Sequence, residues 1–248
     1  MITTLTVVRY KPWLAPLGFL SMALHHLPWL LGLNKGFYKL MGCGKNGTFS
    51  ILPDWQQFAI MTHQDLDLNT VEALERKALH KKLYGKFIAG WYAFFGCETY
   101  SFLLQPIEGH GTWDGKPVFG DLKPKSDYEG QIAILTRATI RLHKAHRFWK
   151  FVDGVAEKMA SAEGFITSIG VGEAPWFKQA TFSIWESKAH MKQFAYKMHE
   201  HADVIRRTRS EDWYSEDMFV RFKVLKGSGN LKGIPPINPS FAASGRND

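Results

Sequence analysis

The sequence predicts an α+β protein made of two fused ferredoxin-like halves that close into one barrel. Three observations carry this reading. A run of strand and helix signals begins again near residue 131, and a glycine- and proline-punctuated stretch at 106–130 separates the two runs. A Gly-x-Gly motif, followed by a tryptophan and a glutamine-containing strand, occurs once in each run. With 248 residues and 45% hydrophobic content, the chain is long enough to bury one large core or two small ones.

Residues 3–10 (TTLTVVRY) read as a strand, because β-branched residues dominate. Residues 14–40 read as helical with a break. The apolar stretch 13–33 (WLAPLGFLSMALHHLPWLLGL) has the length of a membrane span, yet Pro16, Pro28 and the pair His25-His26 interrupt it. It is expected to be a buried amphipathic helix broken near Pro28. The alternative is a surface that touches lipid or admits a lipophilic substrate. The strand-like segment ahead of it is not what a signal peptide carries. Residues 49–51 and 57–62 read as strands. Residues 69–84 read as a helix, which Asn69 or Thr70 can cap, with Val71, Leu74, Ala78 and Leu79 at helical spacing.

In the second run, 131–139 is a strand, 145–160 a helix, 165–170 and 180–185 strands, 188–209 a helix and 219–225 a last strand. A Gly-, Pro- and Ser-rich tail follows from Gly227. The expected organisation is therefore a first half at 1–105, a connection at 106–130, a second half with the candidate site at 131–226, and a flexible tail at 227–248. The internal repeat sets KLMGCG (39–44) beside TSIGVG (167–172), and Trp55 beside Trp176. Each half would have an antiparallel sheet with helices on one side; packing the sheets face to face covers the other side, leaving room for a pocket between sheet and helices. A Rossmann fold is not supported, since no GxGxxG follows a strand and Gly170-Val171-Gly172 runs into Glu-Ala-Pro.

The net charge of +8 suits an anionic partner. The basic residues are dispersed in short groups such as Lys81-Lys82 and Arg206-Arg207, which argues against nucleic acid and for a small acidic electron donor. Cys43 and Cys97 stand far apart in no ligand spacing, so neither a zinc site nor a disulfide framework is indicated, and a reduced cytoplasmic setting is the default. The aromatic content of 14%, with nine tryptophans, suits core packing and also the lining of a pocket for a long, flat, apolar ligand.

Among ten histidines, His201 has the most informative position. On a helix over 188–209, Phe194, Met198, His201, Ile205 and Thr208 share one side, whereas His199 points away beside Ala202 and Arg206. An imidazole centred on an apolar face needs a partner, which is either a backbone carbonyl or a metal; a haem is commonly held this way. His25, His26, His63, His80, His110 and His190 show no ligand spacing. His143 and His146 are three apart without a third ligand, and the HEH at 199–201 is not HExxH.

At LTRATIR (135–141), Phe148-Trp149, IGVGEAPWFKQATFSIW (169–185), Met191, Phe194-Ala195, His201, Ile205-Arg206, Arg209, Glu211, Trp213 and Glu216, the chain resembles the spheroidene monooxygenase (carotenoid ketolase) family. FYKLMGCG (37–44), the turn at 53–55 and GHGTWDGKPVF (109–119) continue the resemblance through the first half. It implies a dimeric-α/β-barrel-type domain, haem b with its iron on His201, and insertion of oxygen from O2 into a carotenoid-like apolar substrate. A ferredoxin-type protein would supply the electrons. Hydroxylation twice at one carbon would give a ketone. Arg137 and Arg141, on one side of a strand by alternation, could pair with haem propionates. The chain would be cytoplasmic, visiting the inner-membrane surface to collect its substrate. Rival readings on the same fold are a haem lyase of the aldoxime-dehydratase type, a cofactor-free monooxygenase, and a non-catalytic haem- or lipid-binding barrel.

Overall fold

The computed structural model describes residues 1–45, 50–197 and 211–237, without the side chains of 151–157 and 196–197. The first half contains β1 (Ile2–Arg9), α1 (Ala15–Leu24), the single turn α2 (Leu27–Leu30), β2 (Phe37–Gly44), β3 (Pro53–Gln64), α3 (Leu68–Ala73), α4 (Arg76–Phe94) and β4 (Glu98–Gly111). The second contains β5 (Ile132–Ile140), α5 (Ala145–Ala160), β6 (Phe165–Ala174), β7 (Lys178–Trp185), α6 (Lys188–Lys197) and β8 (Tyr214–Asn230). The strands form a closed barrel in the order β1-β3-β2-β6-β7-β5-β8-β4, every neighbour antiparallel. Each half thus supplies a ferredoxin-like sheet, β4-β1-β3-β2 and β8-β5-β7-β6.

The halves join at two unequal seams. At one, the two Gly-x-Gly motifs meet, with Gly42 opposite Gly172 and Cys43 opposite Val171. A Cβ on Gly172 would lie 2.8 Å from Gln179 Nε2 and 2.9 Å from the Lys178 carbonyl oxygen, so the backbone there has no room for a side chain. The other seam is a long ladder from Thr99↔Asn230 to Gly111↔Met218. Inward residues of both sheets, among them Leu5, Phe102, Leu135, Phe182 and Phe222, fill the barrel. Trp113 and Phe119 close one end of it, and Leu231 and Ile237 close the other, beside the two ends of β4. The barrel is therefore a packed core, in which truncating a side chain such as Phe222 costs about 3–5 kcal/mol.

Several expectations are corrected. Residues 37–44 are a strand rather than the end of a helix, and residues 50–51 are not in a strand, residue 49 lying outside the described residues. The helix read at 69–84 is two helices, and Asp67, not Asn69 or Thr70, caps the first by accepting from the Thr70 N–H at 2.8 Å. The second runs past Gly85, whose φ of 79° kinks it; Asn34 Nδ2 donates to the Tyr84 carbonyl at 2.9 Å at this break. β4 continues beyond residue 105 because Pro106 sits at a bulge, where no ladder N–H is required of it. β8 extends to Asn230, and Leu231 and Ile237 are buried, so the segment 227–237 is packed rather than loose. The stretch 13–33 is not a buried helix: Trp13, Phe19, Leu20, Leu27, Leu30, Leu31 and Leu33 are exposed. Of the helix read at 188–209, α6 covers Lys188–Lys197, and residues 198–209 lie outside the described residues.

Candidate functional site

Alternation along each strand gives the two sheets an inner face in the barrel and an outer face toward the helices. Matching the 3₁₀ turns Pro12–Leu14 and Leu142–Lys144, which follow β1 and β5, brings Thr6 into register with Thr136. Strand pairing agrees: Thr6 lies between Ile60 and Ser101, and Thr136 between Thr181 and Phe219.

Over the first sheet the outer face is sealed. Thr6 is fully buried, with the Tyr84 hydroxyl 2.6 Å away and Ser101 Oγ at 2.7 Å, and Leu79, Leu83 and Ile88 of α4 are buried in one cluster with the neighbouring strand residues Val8, Ile60 and Leu103. Over the second sheet, Thr136 is exposed although β5 is a central strand. Two apolar clusters stand to either side of it. Ile132, Ile134, Met159, Trp185 and Met191 form one, with Phe194 against Trp185 at 5.3 Å. Ala138, Ile140, Phe148, Trp149 and Trp213 form the other. The floor between them consists of Gly170, Thr181, Thr136 and Phe219, with Ser168 and Ser183 one row away. Small outward side chains at Thr136, Ser168, Gly170 and Thr181 between two apolar clusters make this the candidate site; the neighbouring Ser183 hydroxyl accepts from Trp185 Nε1.

At the edge of the floor, a buried ion cluster fixes the start of α6. Glu108 is 1% exposed and accepts from Lys188 Nζ at 2.9 Å, from the Ser126 N–H at 2.6 Å and from Arg221. Burial alone would raise the Glu108 carboxyl, but Lys188, the Ser126 N–H and Arg221 together hold it below its ordinary value. The Arg221 guanidinium lies 4.7 Å over the Phe219 ring, joining this cluster to the floor. Sequence reading had singled out none of these residues. The outward run Thr136, Ala138, Ser168, Gly170, Thr181, Ser183 was nevertheless legible as small residues on alternate positions of three strands.

The predicted site residues fall in three different places. His201 lies outside the described residues, as does His199. Arg137, expected beside propionates, points into the barrel instead and is 1% exposed. Its Nη1 donates to Glu216 at 2.6 Å, and its Nη2 lies 3.3 Å from Glu173 and 3.4 Å from Asp114. Lys39 and Lys178 complete the cluster through Glu173 and Asp114, and the Trp113 ring stacks 4.9 Å from Arg137. Burial would raise the Glu216 carboxyl, but the Gly115 N–H, Arg137 and Thr112 bring it to about 2. Asp114 is likewise held at about 2, burial being outweighed by Lys178 and Lys39. A guanidinium engaged by three carboxylates does not fit a propionate. Arg141 shares no partner with Arg137; it pairs with Asp212 at 3.0 Å and keeps a partly solvent-facing side chain.

Among the described residues, no group of three or more His, Cys, Asp or Glu side chains is set to hold a metal ion. His25, His63 and His80 are buried in the first half, and burial lowers each to about 4, so they are neutral. His143 and His146 are exposed.

No protein-family model matches the chain. It is 30% identical over 247 residues to the spheroidene monooxygenase of Cereibacter sphaeroides, covering 97% of this chain and 72% of that protein. The spheroidene monooxygenase of Rhodobacter capsulatus is 34% identical over 202 residues, covering 81% of this chain and 80% of the relative. Among solved structures, aldoxime dehydratase in complex with butyraldoxime matches with a TM-score of 0.53 at 8% identity, covering 90% of this chain and 79% of the other. That likeness is one of fold.

Proposed function

The chain belongs to the spheroidene monooxygenase family, and from that premise we propose that it is a haem-dependent oxygenase acting on a long, apolar, carotenoid-like molecule at the outer face of its second sheet. The observation that carries the location is the contrast between the sealed Thr6 and the exposed Thr136. A floor of Gly170, Thr181 and Thr136 edged by Phe219, between two apolar clusters, would suit an apolar macrocycle held by a single histidine rather than by a cluster of ligands. His201 is the residue that would hold its iron. In the sequence it stands seven residues after Phe194, the spacing of two turns on the helix read at 188–209, and Phe194 packs against Trp185 on this face.

When bound, haem supplies the activation of O2 by two electrons from a ferredoxin-type donor. The protein's residues do the rest. The clusters around Trp185 and Trp149 exclude water and align an apolar chain, while the Thr136 and Thr181 hydroxyls offer donors and acceptors on an otherwise apolar floor. Two successive oxygen insertions at one carbon, followed by loss of water, give a ketone. Arg141 is paired with Asp212 at 3.0 Å on a partly solvent-facing side chain, and would have to exchange that partner to meet a propionate. The basic net charge favours an acidic electron donor.

The test is the visible spectrum of protein purified from cells fed a haem precursor, with and without dithionite and carbon monoxide. A Soret band that shifts on reduction and again with carbon monoxide, together with reductant-dependent oxidation of an acyclic carotenoid, is the expected result. A colourless protein that still oxidises its substrate overturns the haem reading. Turnover of an aldoxime without external reductant overturns the oxygenase reading.

A further inference from the structure

We propose that the helix layer of the first half is a docking face for an anionic lipid bilayer. Large apolar side chains are exposed across it: Trp13 at 72%, Leu30 at 74%, Leu31 at 70%, Leu33 at 74% and Phe94 at 83%. Ring contacts tie parts of this layer together in two groups. Phe19 of α1 lies 6.5 Å from Trp55, His25 after α1 lies 6.1 Å from Phe87 of α4, and Trp91, Phe95 and Phe94 follow at 4.8 and 4.9 Å. An apolar surface of this extent on a folded chain marks an interaction site.

Charge selects the occupant. Residues 1–53 contain no Asp or Glu, and the residues of α4 contain none either. Lys11 and Lys35 flank the apolar stretch, and α4 exposes Arg76, Lys77, Lys81, Lys82 and Lys86 along its first half. The nearest acids, Glu72, Glu75 and Glu98, fall before and after α4. A second copy of this chain would set like charges against each other, whereas anionic headgroups complement them. Among the described residues, two exposed large apolar side chains, Leu142 and Trp176, lie in the second half, and the others lie in the first. Among the described residues no helix is long and apolar enough to cross a membrane, and α1 has ten residues, so the face lies on the bilayer. Apolar side chains would enter the headgroup boundary, with Trp13 and Trp55 at interfacial depth.

The experiment is co-sedimentation of the full chain with vesicles of phosphatidylcholine alone or with one third phosphatidylglycerol. Wild-type protein is expected to partition onto the anionic vesicles, more weakly as salt rises. The variant Leu30→Ser/Leu31→Ser/Leu33→Ser/Phe94→Ser should lose at least about tenfold in partitioning while keeping its melting temperature, since these side chains are exposed. Equal partitioning of variant and wild type overturns the proposal. So does a wild-type dimer that the variant dissolves, with no vesicle binding by either. All four residues lie in the first half and outside the proposed site, so an unchanged haem spectrum in the variant keeps this test separate from the proposed function.

Discussion

Arg137 and Glu216 meet at 2.6 Å inside one end of the barrel, and their pairing joins β5, β8 and the Trp113 loop in a single buried charge cluster. Removing the cation leaves Glu216, among the described residues, with neutral donors alone, such as Thr112 and the Asp114 and Gly115 N–H groups, while Glu173 and Asp114 keep Lys39 and Lys178. Arg137→Ala is therefore expected to destabilise the fold by about 3–5 kcal/mol, as for other broken buried pairs. Urea denaturation checks this. A loss below about 1 kcal/mol, with loss of cofactor instead, would restore Arg137 to the cofactor site.

Acid should weaken the protein in two stages. His25, His63 and His80 are held near 4, below the ordinary 6.5, so the unfolded chain binds more protons between these values. Stability present above pH 6.5 is then lost as pH falls toward 4. Glu216 and Asp114, held near 2 against ordinary values of 4.5 and 3.8, add a second loss as pH falls from about 4.5 toward 2. The urea midpoint measured across this range reads both stages. His63→Gln should flatten the upper one, because Thr3 Oγ1, 2.9 Å from His63 Nδ1, can bond to an amide that does not titrate. An unchanged slope between pH 6.5 and 4 in that variant would count against the assignment.

The contrast between equivalent threonines gives a paired test. Thr136→Phe places a ring over the open floor and is expected to block cofactor or substrate binding, leaving stability within about 1 kcal/mol because the site is exposed. Thr6→Phe forces the same ring beneath Tyr84 and should cost about 3 kcal/mol or more. Titration with haem, alongside melting curves, distinguishes them. If Thr136→Phe binds haem as the wild type does, the floor is not the site.

What the sequence made legible follows from which signals are local. β1 shows itself by its β-branched run, and the Gly-x-Gly repeat was visible because both copies lie where the halves meet, Gly42 opposite Gly172. Gly85 stops a helix by propensity, so the continuation of α4 to Phe94 was hidden; the bonds at the kink come from Asn34, fifty residues away, and from Gln64. Arg137 looked like a ligand-binding arginine because alternation fixes its side of the strand but not which side is the barrel. Its three acids come from 114, 173 and 216, and no local spacing relates them. The exposure of residues 13–33 was hidden likewise, since an apolar stretch reads as core unless the packing around it is known.

The assignment of His201 has the sharpest test, because sequence spacing separates it from a neighbouring histidine of the same chemistry. On the helix read from the sequence over 188–209, His201 would share a side with Phe194, which faces Trp185, and His199 would lie about 160° away. His201→Ala should abolish tight haem binding or move the Soret band to that of a site lacking imidazole, with the fold retained because alanine favours a helix. His199→Ala should leave the spectrum unchanged. Loss of haem by the His199 variant alone reverses the phase and places His199 on the iron. If both variants keep an imidazole-type spectrum, the ligand is elsewhere, and His143 and His146, exposed where the chain enters α5, are the next to replace.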